Sequence, residues 1–114
     1  MTLENIAKCK QIADHYGFDA QKEIMIEECA ELIQAIQKMK RTGEDCPKND
    51  DDPTKNFIGE LADVFIMATQ MREFLTPALL NEFHKIVDEK ITRQLGRIEE
   101  EKAEYEKWRG NVNV

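Results

Sequence analysis

Apolar residues recur every three or four positions along most of the chain, which is the spacing that places them on one face of an α-helix. The pattern predicts four helices, at about 3–16, 20–41, 55–75 and 77–109, and no convincing strand. We expect glycines to end the first two helices and Pro77 to open the last one. The expected N-caps are Thr2, Asp19, Thr54 and Thr76.

Residues 43–53 separate the second helix from the third and contain two prolines and a run of acidic residues, which predicts a solvated loop. The acids at 50–52 lack the alternating ligand spacing of a calcium-binding EF-hand loop. We therefore expect one all-α domain over residues 1–114 with a four-helix bundle-like fold. Its core would span about 18–98, and 99–114 would form a charged C-terminal helix and tail.

Composition narrows the class of protein. The formal net charge is −7, which argues against a nucleic-acid-binding protein, because such proteins carry basic patches. No apolar run approaches the roughly 20 residues that span a bilayer, and the first ten residues lack the layout of a secretory signal. We expect a cytoplasmic protein with no membrane partner. Its three cysteines include no C-x-x-C pair, so they are expected to be reduced thiols.

Carboxylates lie inside two of the apolar-periodic segments. In the stretch 26–32, IEECAEL, Glu28 and Glu31 are three residues apart and Glu27 and Glu31 are four apart, so each pair shares a helix face. Glu60 and Asp63 repeat this spacing in the third helix. If the two helices pack antiparallel, four carboxylates would meet and repel one another unless a divalent cation neutralised them. Oxygen ligands favour Mg²⁺, with Mn²⁺ possible.

Other interpretations of these acids are open. A solvated acidic face would need no metal. A di-iron bundle would need Glu-x-x-His pairs, which the sequence lacks. In the fourth helix, Lys90 and Arg93 share a face near Asp88, which suits a bound polyphosphate. The alternative is that this basic pair forms only surface ion pairs with Asp88 or Glu89.

The combined acidic pattern resembles a known family. Glu27-Glu28-x-x-Glu31, followed after 28 intervening residues by Glu60-x-x-Asp63, resembles the E-E-x-x-E…E-x-x-D signature of the all-α NTP pyrophosphohydrolases. This MazG-like superfamily includes dimeric dUTPases, dCTP pyrophosphatases and phosphoribosyl-ATP pyrophosphatases. The segment EKITRQL at 89–95 resembles its phosphate-contacting block, and the likeness covers roughly residues 18–97. Asp88 departs from the family, where Asn is common two residues before the lysine.

The resemblance implies a Mg²⁺-dependent enzyme that hydrolyses a nucleoside triphosphate to the monophosphate and pyrophosphate. It implies a metal site at Glu28, Glu31, Glu60 and Asp63, with Glu27 and Glu28 as catalytic residues and Glu27 positioning or deprotonating the attacking water. The substrate-binding residues would be the following four: Lys90, Arg93, Asp88 and Gln21. It also implies a homodimer or a homotetramer, with sites near the subunit interfaces.

Two rival functions have no catalytic site. One is a helical module that dimerises or senses nucleotides, and the other is an adaptor that binds partners through the charged C-terminal helix. The preferred base cannot be read from the sequence. Four aromatic residues could stack on a base, although ordinary packing is the simpler interpretation of each: Tyr16, Phe18, Phe57 and Trp108.

Overall fold

The computed structural model describes residues 1–43, 47 and 50–112, and this part of the chain contains helices and no strand. In chain order the helices are α1 (Leu3–Tyr16), α2 (Phe18–Arg41), α3 (Asp52–Arg72) and α4 (Pro77–Val112). The prediction of an all-α protein is confirmed. The structure divides into two compact units, Met1–Leu75 and Thr76–Val114. A four-helix bundle formed as one domain therefore stays a prediction.

In the first unit, α2 and α3 make the most extensive contact and α1 packs against both. A single residue, Gly17, connects α1 to α2. Its φ is 83°, which is strained for residues with a Cβ, and its N–H donates to the Ala13 carbonyl at 2.9 Å. This turn is so short that α2 begins at Phe18. The predicted start at Ala20, with Asp19 as the N-cap, is wrong.

The helix caps mostly follow the sequence. Thr2 accepts a hydrogen bond from the Asn5 N–H at 3.1 Å, and the Thr76 hydroxyl accepts one from the Leu79 N–H at 3.3 Å. The cap predicted at Thr54 is wrong, because the Asp51 carboxylate accepts from the Thr54 N–H at 2.9 Å and α3 begins at Asp52. The predicted loop is correspondingly shorter, and its residues 44–46 and 48–49 lie outside the described residues.

The second unit is built around α4, a helix of 36 residues. The predicted end of this helix, at about residue 109, is too early, because the helix continues to Val112. Within the described ranges, no helix combines the length and the apolar character needed to cross a bilayer.

Few apolar side chains are buried. In the described part of the chain, the buried apolar residues are small or flexible: Cys9, Ala13, Ala35, Met39 and Met67. Many larger ones are exposed, including Ile33 on α2 at 60% and Phe65 on α3 at 54%. A single chain therefore leaves much apolar surface in water, which is typical of surfaces that pack against another protein.

Candidate metal centre

Three carboxylates from two helices meet on the first unit. Glu28 is on α2, and Glu60 and Asp63 are on α3. One oxygen from each side chain lies within 4.8 Å of the others. Glu28 and Glu60 are half-buried and Asp63 is exposed, so the cluster lies at the edge of the contact between α2 and α3.

The antiparallel register of α2 and α3 produces this cluster. Glu28 interacts with Asp63, and one turn further along α2, Glu31 interacts with Glu60, which lies one turn earlier on α3. Each step of three residues along one helix is thus matched by a step of three back along the other. The i,i+3 spacing of the sequence keeps each pair on one face, and the helix packing brings the two faces together.

The cluster is electrostatically uncompensated. Desolvation by burial raises the pKa of Glu28 above its usual 4.5, and Asp63, Glu31 and Glu60 raise it further. Desolvation also raises the pKa of Glu60, as do Glu31 and Asp63, while Lys38 opposes the shift only in part. One oxygen of each of these two glutamates is enclosed and accepts no hydrogen bond. Such oxygens are costly in the ionised state unless a cation binds them.

The other acidic residues predicted for the site are placed differently. Glu31 is exposed, contacts Glu60, and does not belong to the group of three whose oxygens lie within 4.8 Å. Glu27 is also exposed and is not part of that group. Its neighbour Glu28 points into the cluster, and successive side chains on a helix diverge by about 100°. The role of Glu31 as a metal ligand and the role of Glu27 in positioning water therefore stay predictions.

The predicted phosphate-binding residues lie on α4, in the second unit. Lys90 and Arg93 line one shallow surface depression together with Ile86 and Glu89. Neither cation forms an ion pair with any described residue, so the alternative of ion pairs with Asp88 or Glu89 is not what the structure contains. Asp88 is exposed. The roles of these residues toward a substrate stay predictions.

Sequence reasoning missed one polar residue on the same helix contact. Gln70 on α3 is buried, as is the predicted substrate residue Gln21 on α2. The signal was present in the spacing, because Gln70 is seven residues beyond Asp63 and Gln21 is seven residues before Glu28. A step of seven returns to the same side of a helix. Lys38, which acts on Glu60, was also missed.

The donor set suits a small hard cation. Mg²⁺ binds one or two carboxylates directly and fills its remaining positions with water or phosphate oxygens. Glu28, Glu60 and Asp63 offer only oxygen atoms as ligands. One carboxylate oxygen of each glutamate is enclosed and has no hydrogen-bond partner, so a cation could bind it. The residues therefore fit Mg²⁺ or Mn²⁺ better than zinc, which favours nitrogen and sulfur.

No family model, no curated protein and no solved structure matches this chain. The resemblance to the MazG-like superfamily consequently stays a prediction that rests on the quoted motifs.

Proposed function

We propose that this protein is a Mg²⁺-dependent nucleoside triphosphate pyrophosphohydrolase, which cleaves a ribo- or deoxyribonucleoside triphosphate to the monophosphate and pyrophosphate. One observation carries the proposal: two antiparallel helices bring oxygens of three carboxylates within 4.8 Å of one another, and among the described residues Lys38 offsets their repulsion only in part. A cytoplasmic enzyme of this kind would remove particular nucleotides from the cellular pool.

In this proposal Glu28, Glu60 and Asp63 would hold the metal ion, and Glu31, beside Glu60, would be the fourth donor. When bound, Mg²⁺ would neutralise the phosphate oxygens and orient the triphosphate. Glu28 and Glu60 would then exchange mutual repulsion for attraction to a shared cation. Mn²⁺, which also prefers oxygen, would substitute.

The reaction is an attack of water on the α-phosphorus. A P–O bond forms there, and the bond to the oxygen that bridges the α- and β-phosphorus breaks. Glu27 orients the water and takes its proton, and pyrophosphate leaves with the electron pair of the broken bond. Lys90 and Arg93 bind the outgoing pyrophosphate through charge-assisted hydrogen bonds. Asp88 and Gln21 contact the rest of the substrate.

The proposal includes a homodimer or a homotetramer. Its support is the apolar surface that a single chain leaves exposed on α2, α3 and α4, such as Ile33, Phe65 and Leu95 at 60%, 54% and 59%. Burying such side chains against a second copy would add the core that this short chain lacks.

The test is product analysis. The pure protein is incubated with Mg²⁺ and a panel of canonical NTPs and dNTPs, and the mono-, di- and triphosphates are separated with pyrophosphate detection. We expect a monophosphate and pyrophosphate in equal amounts, with no product after chelation of the metal. A diphosphate and orthophosphate would contradict the proposed bond cleavage.

The rival with a specific observation in its favour is a non-catalytic helical module, because exposed apolar helix faces also suit a protein that only associates. The same panel, extended to modified nucleotides, separates the two. Nucleotide binding without turnover of any substrate, canonical or modified, would favour the module.

A further inference from the structure

The contact between α2 and α3 continues beyond the carboxylates into a second polar site. The register that pairs Glu28 with Asp63 pairs Gln21 with Gln70 when it is extended by seven residues along each helix. The contact of Phe18, at the start of α2, with Phe74, just past the end of α3, agrees with this extension, because the ring centroids are 5.4 Å apart. The two glutamines therefore lie opposite each other at one end of the helix pair.

Both glutamines are buried and incompletely hydrogen-bonded. Gln21 is 4% exposed and Gln70 is 3% exposed. The side-chain oxygen Oε1 of each is enclosed and accepts no hydrogen bond. By contrast, the hydroxyl of neighbouring Thr69, 6% exposed, donates to the Phe65 carbonyl at 2.9 Å. A buried acceptor without a donor costs free energy, so a ligand that supplied donors to these two oxygens would remove that cost.

An aromatic surface adjoins these amides. Phe18 is three residues before Gln21, so its ring shares a face of α2 with that glutamine, and Phe74 lies in the turn just after the end of α3. The two rings pack edge to face, and Phe18 is 49% exposed. A flat ligand can lie against this ring pair and direct its polar edge toward the two amide oxygens.

We propose that Gln21 and Gln70 form the base-recognition subsite of the enzyme, and that they select bases with an exocyclic amino group. This inference rests on the proposed function and adds the substrate preference. Seven residues separate the amides from the carboxylates along each helix, a rise of about 10 Å. In a nucleotide, the polar edge of the base and the phosphates are separated by the base ring and the ribose together, which span a comparable length.

The two oxygens define the preference. Cytosine, adenine and guanine each carry an amino group whose two hydrogens can be donated to two acceptors. Uracil and thymine have carbonyl oxygens at the corresponding positions, and these would repel the amide oxygens in the orientation that the two amides have in the structure. The enzyme therefore prefers amino-bearing bases over uracil and thymine.

The experiment compares the protein with Gln21→Met and Gln70→Met, which keep side-chain length and remove the acceptor. Thr69→Val is the matched control, because it removes a buried polar group that already has a partner. Two quantities are measured: kcat/KM for dCTP and dUTP, and calorimetric affinity for their non-hydrolysable α,β-imido analogues with Mg²⁺. We expect a preference for the cytosine compound in both, reduced about tenfold in each glutamine variant and unchanged in the control.

The outcomes separate this inference from the proposed function. A preference for uracil, or a cytosine preference that the glutamine variants retain, overturns the inference while hydrolysis still supports the enzyme. A gain in thermal stability without a change in preference would mean that the amides hold only water, which also overturns it. If no triphosphate is hydrolysed, the proposed function fails. In that case the affinities for the imido analogues alone test the proposed subsite. Absence of analogue binding, or equal binding by wild type and the glutamine variants, would overturn it.

Discussion

The carboxylate cluster on α2 and α3 and the basic pair on α4 are organised in opposite ways. The cluster draws residues from two helices, lies partly inside their contact and repels itself. Lys90 and Arg93 are exposed and lie three residues apart on one helix, so local helix geometry alone brings them together. A cluster that depends on tertiary packing stores unfavourable electrostatic energy, whereas an exposed pair on one helix is solvated by water at little cost.

Under the proposed function, this contrast leads us to expect tight ligand binding at the carboxylate cluster rather than at the basic pair. Water can hydrate the α4 cations in the absence of substrate. It cannot reach the enclosed oxygens of Glu28 and Glu60. We therefore expect substitutions in the cluster to have all-or-none effects on function, and substitutions on α4 to have graded ones.

The largest effect is expected in the cluster. Replacing Glu60 or Glu31 with Gln keeps the shape of the side chain and removes a negative charge that the metal requires. Hydrolysis should fall by more than about a hundredfold, since even residues behind metal ligands cost ten- to a hundredfold. Pyrophosphate release is the measurement, and Glu23→Gln, an exposed acid on α2, is the matched control. Normal activity in either variant would remove the metal site from the mechanism.

An intermediate effect is expected on α4. Replacing Lys90 or Arg93 with Ala should raise KM about tenfold, because each contributes one charge-assisted contact to a phosphate. Steady-state kinetics at several salt concentrations will report it. Lys102→Ala removes an exposed cation of the same helix, which is paired with Glu99 at 3.5 Å, and should leave KM unchanged. Equal effects of all three substitutions would indicate a general charge effect and contradict a binding role.

The smallest effect is expected on the stability of the metal-free protein. The pKa values of Glu28 and Glu60 are raised above 4.5, so the folded state holds more protons than the unfolded state between 4.5 and the raised values. Stability contributed by these groups therefore falls as the pH rises through that window. Glu60→Gln should weaken this fall and make the metal-free protein more stable than wild type at neutral pH.

Urea denaturation in a chelator, across that pH window, measures this effect. The same titration of Glu23→Gln supplies the baseline from an acid for which no repulsive cluster is involved. A metal-free Glu60→Gln protein less stable than wild type at neutral pH would mean that Glu60 makes favourable contacts and that its repulsion is negligible.

The fold and the site were predictable from the sequence to different depths. The four helices, two of the caps and the pairing of acids within each helix follow from local spacing, which a helix converts directly into geometry. The α2 start was misplaced because the one-residue turn at Gly17 depends on a positive φ that the helix pattern alone did not show. The cap of α3 was misplaced by three residues, since Asp51 and Thr54 are both good caps and only the structure selects Asp51.

Tertiary features were the part that local spacing could not supply. Which acids meet across α2 and α3 depends on the register of the two helices, and that register leaves Glu31 outside the closest group. The pairing of Gln21 with Gln70 depends on the same register. Glutamine is common on exposed helix faces, so burial at both positions could be learned only from the packing.

The most direct test of the metal centre is a calorimetric titration of the protein with Mg²⁺, with thermal unfolding recorded on the same samples. The account predicts saturable binding to wild type and to Glu23→Gln. It also predicts a rise of about 2.7 kcal/mol in the free energy of unfolding at a hundredfold excess over Kd. Both effects should be lost in Glu60→Gln. Equal binding and equal stabilisation in wild type and Glu60→Gln would contradict the account, because the acids would then be an ordinary solvated face.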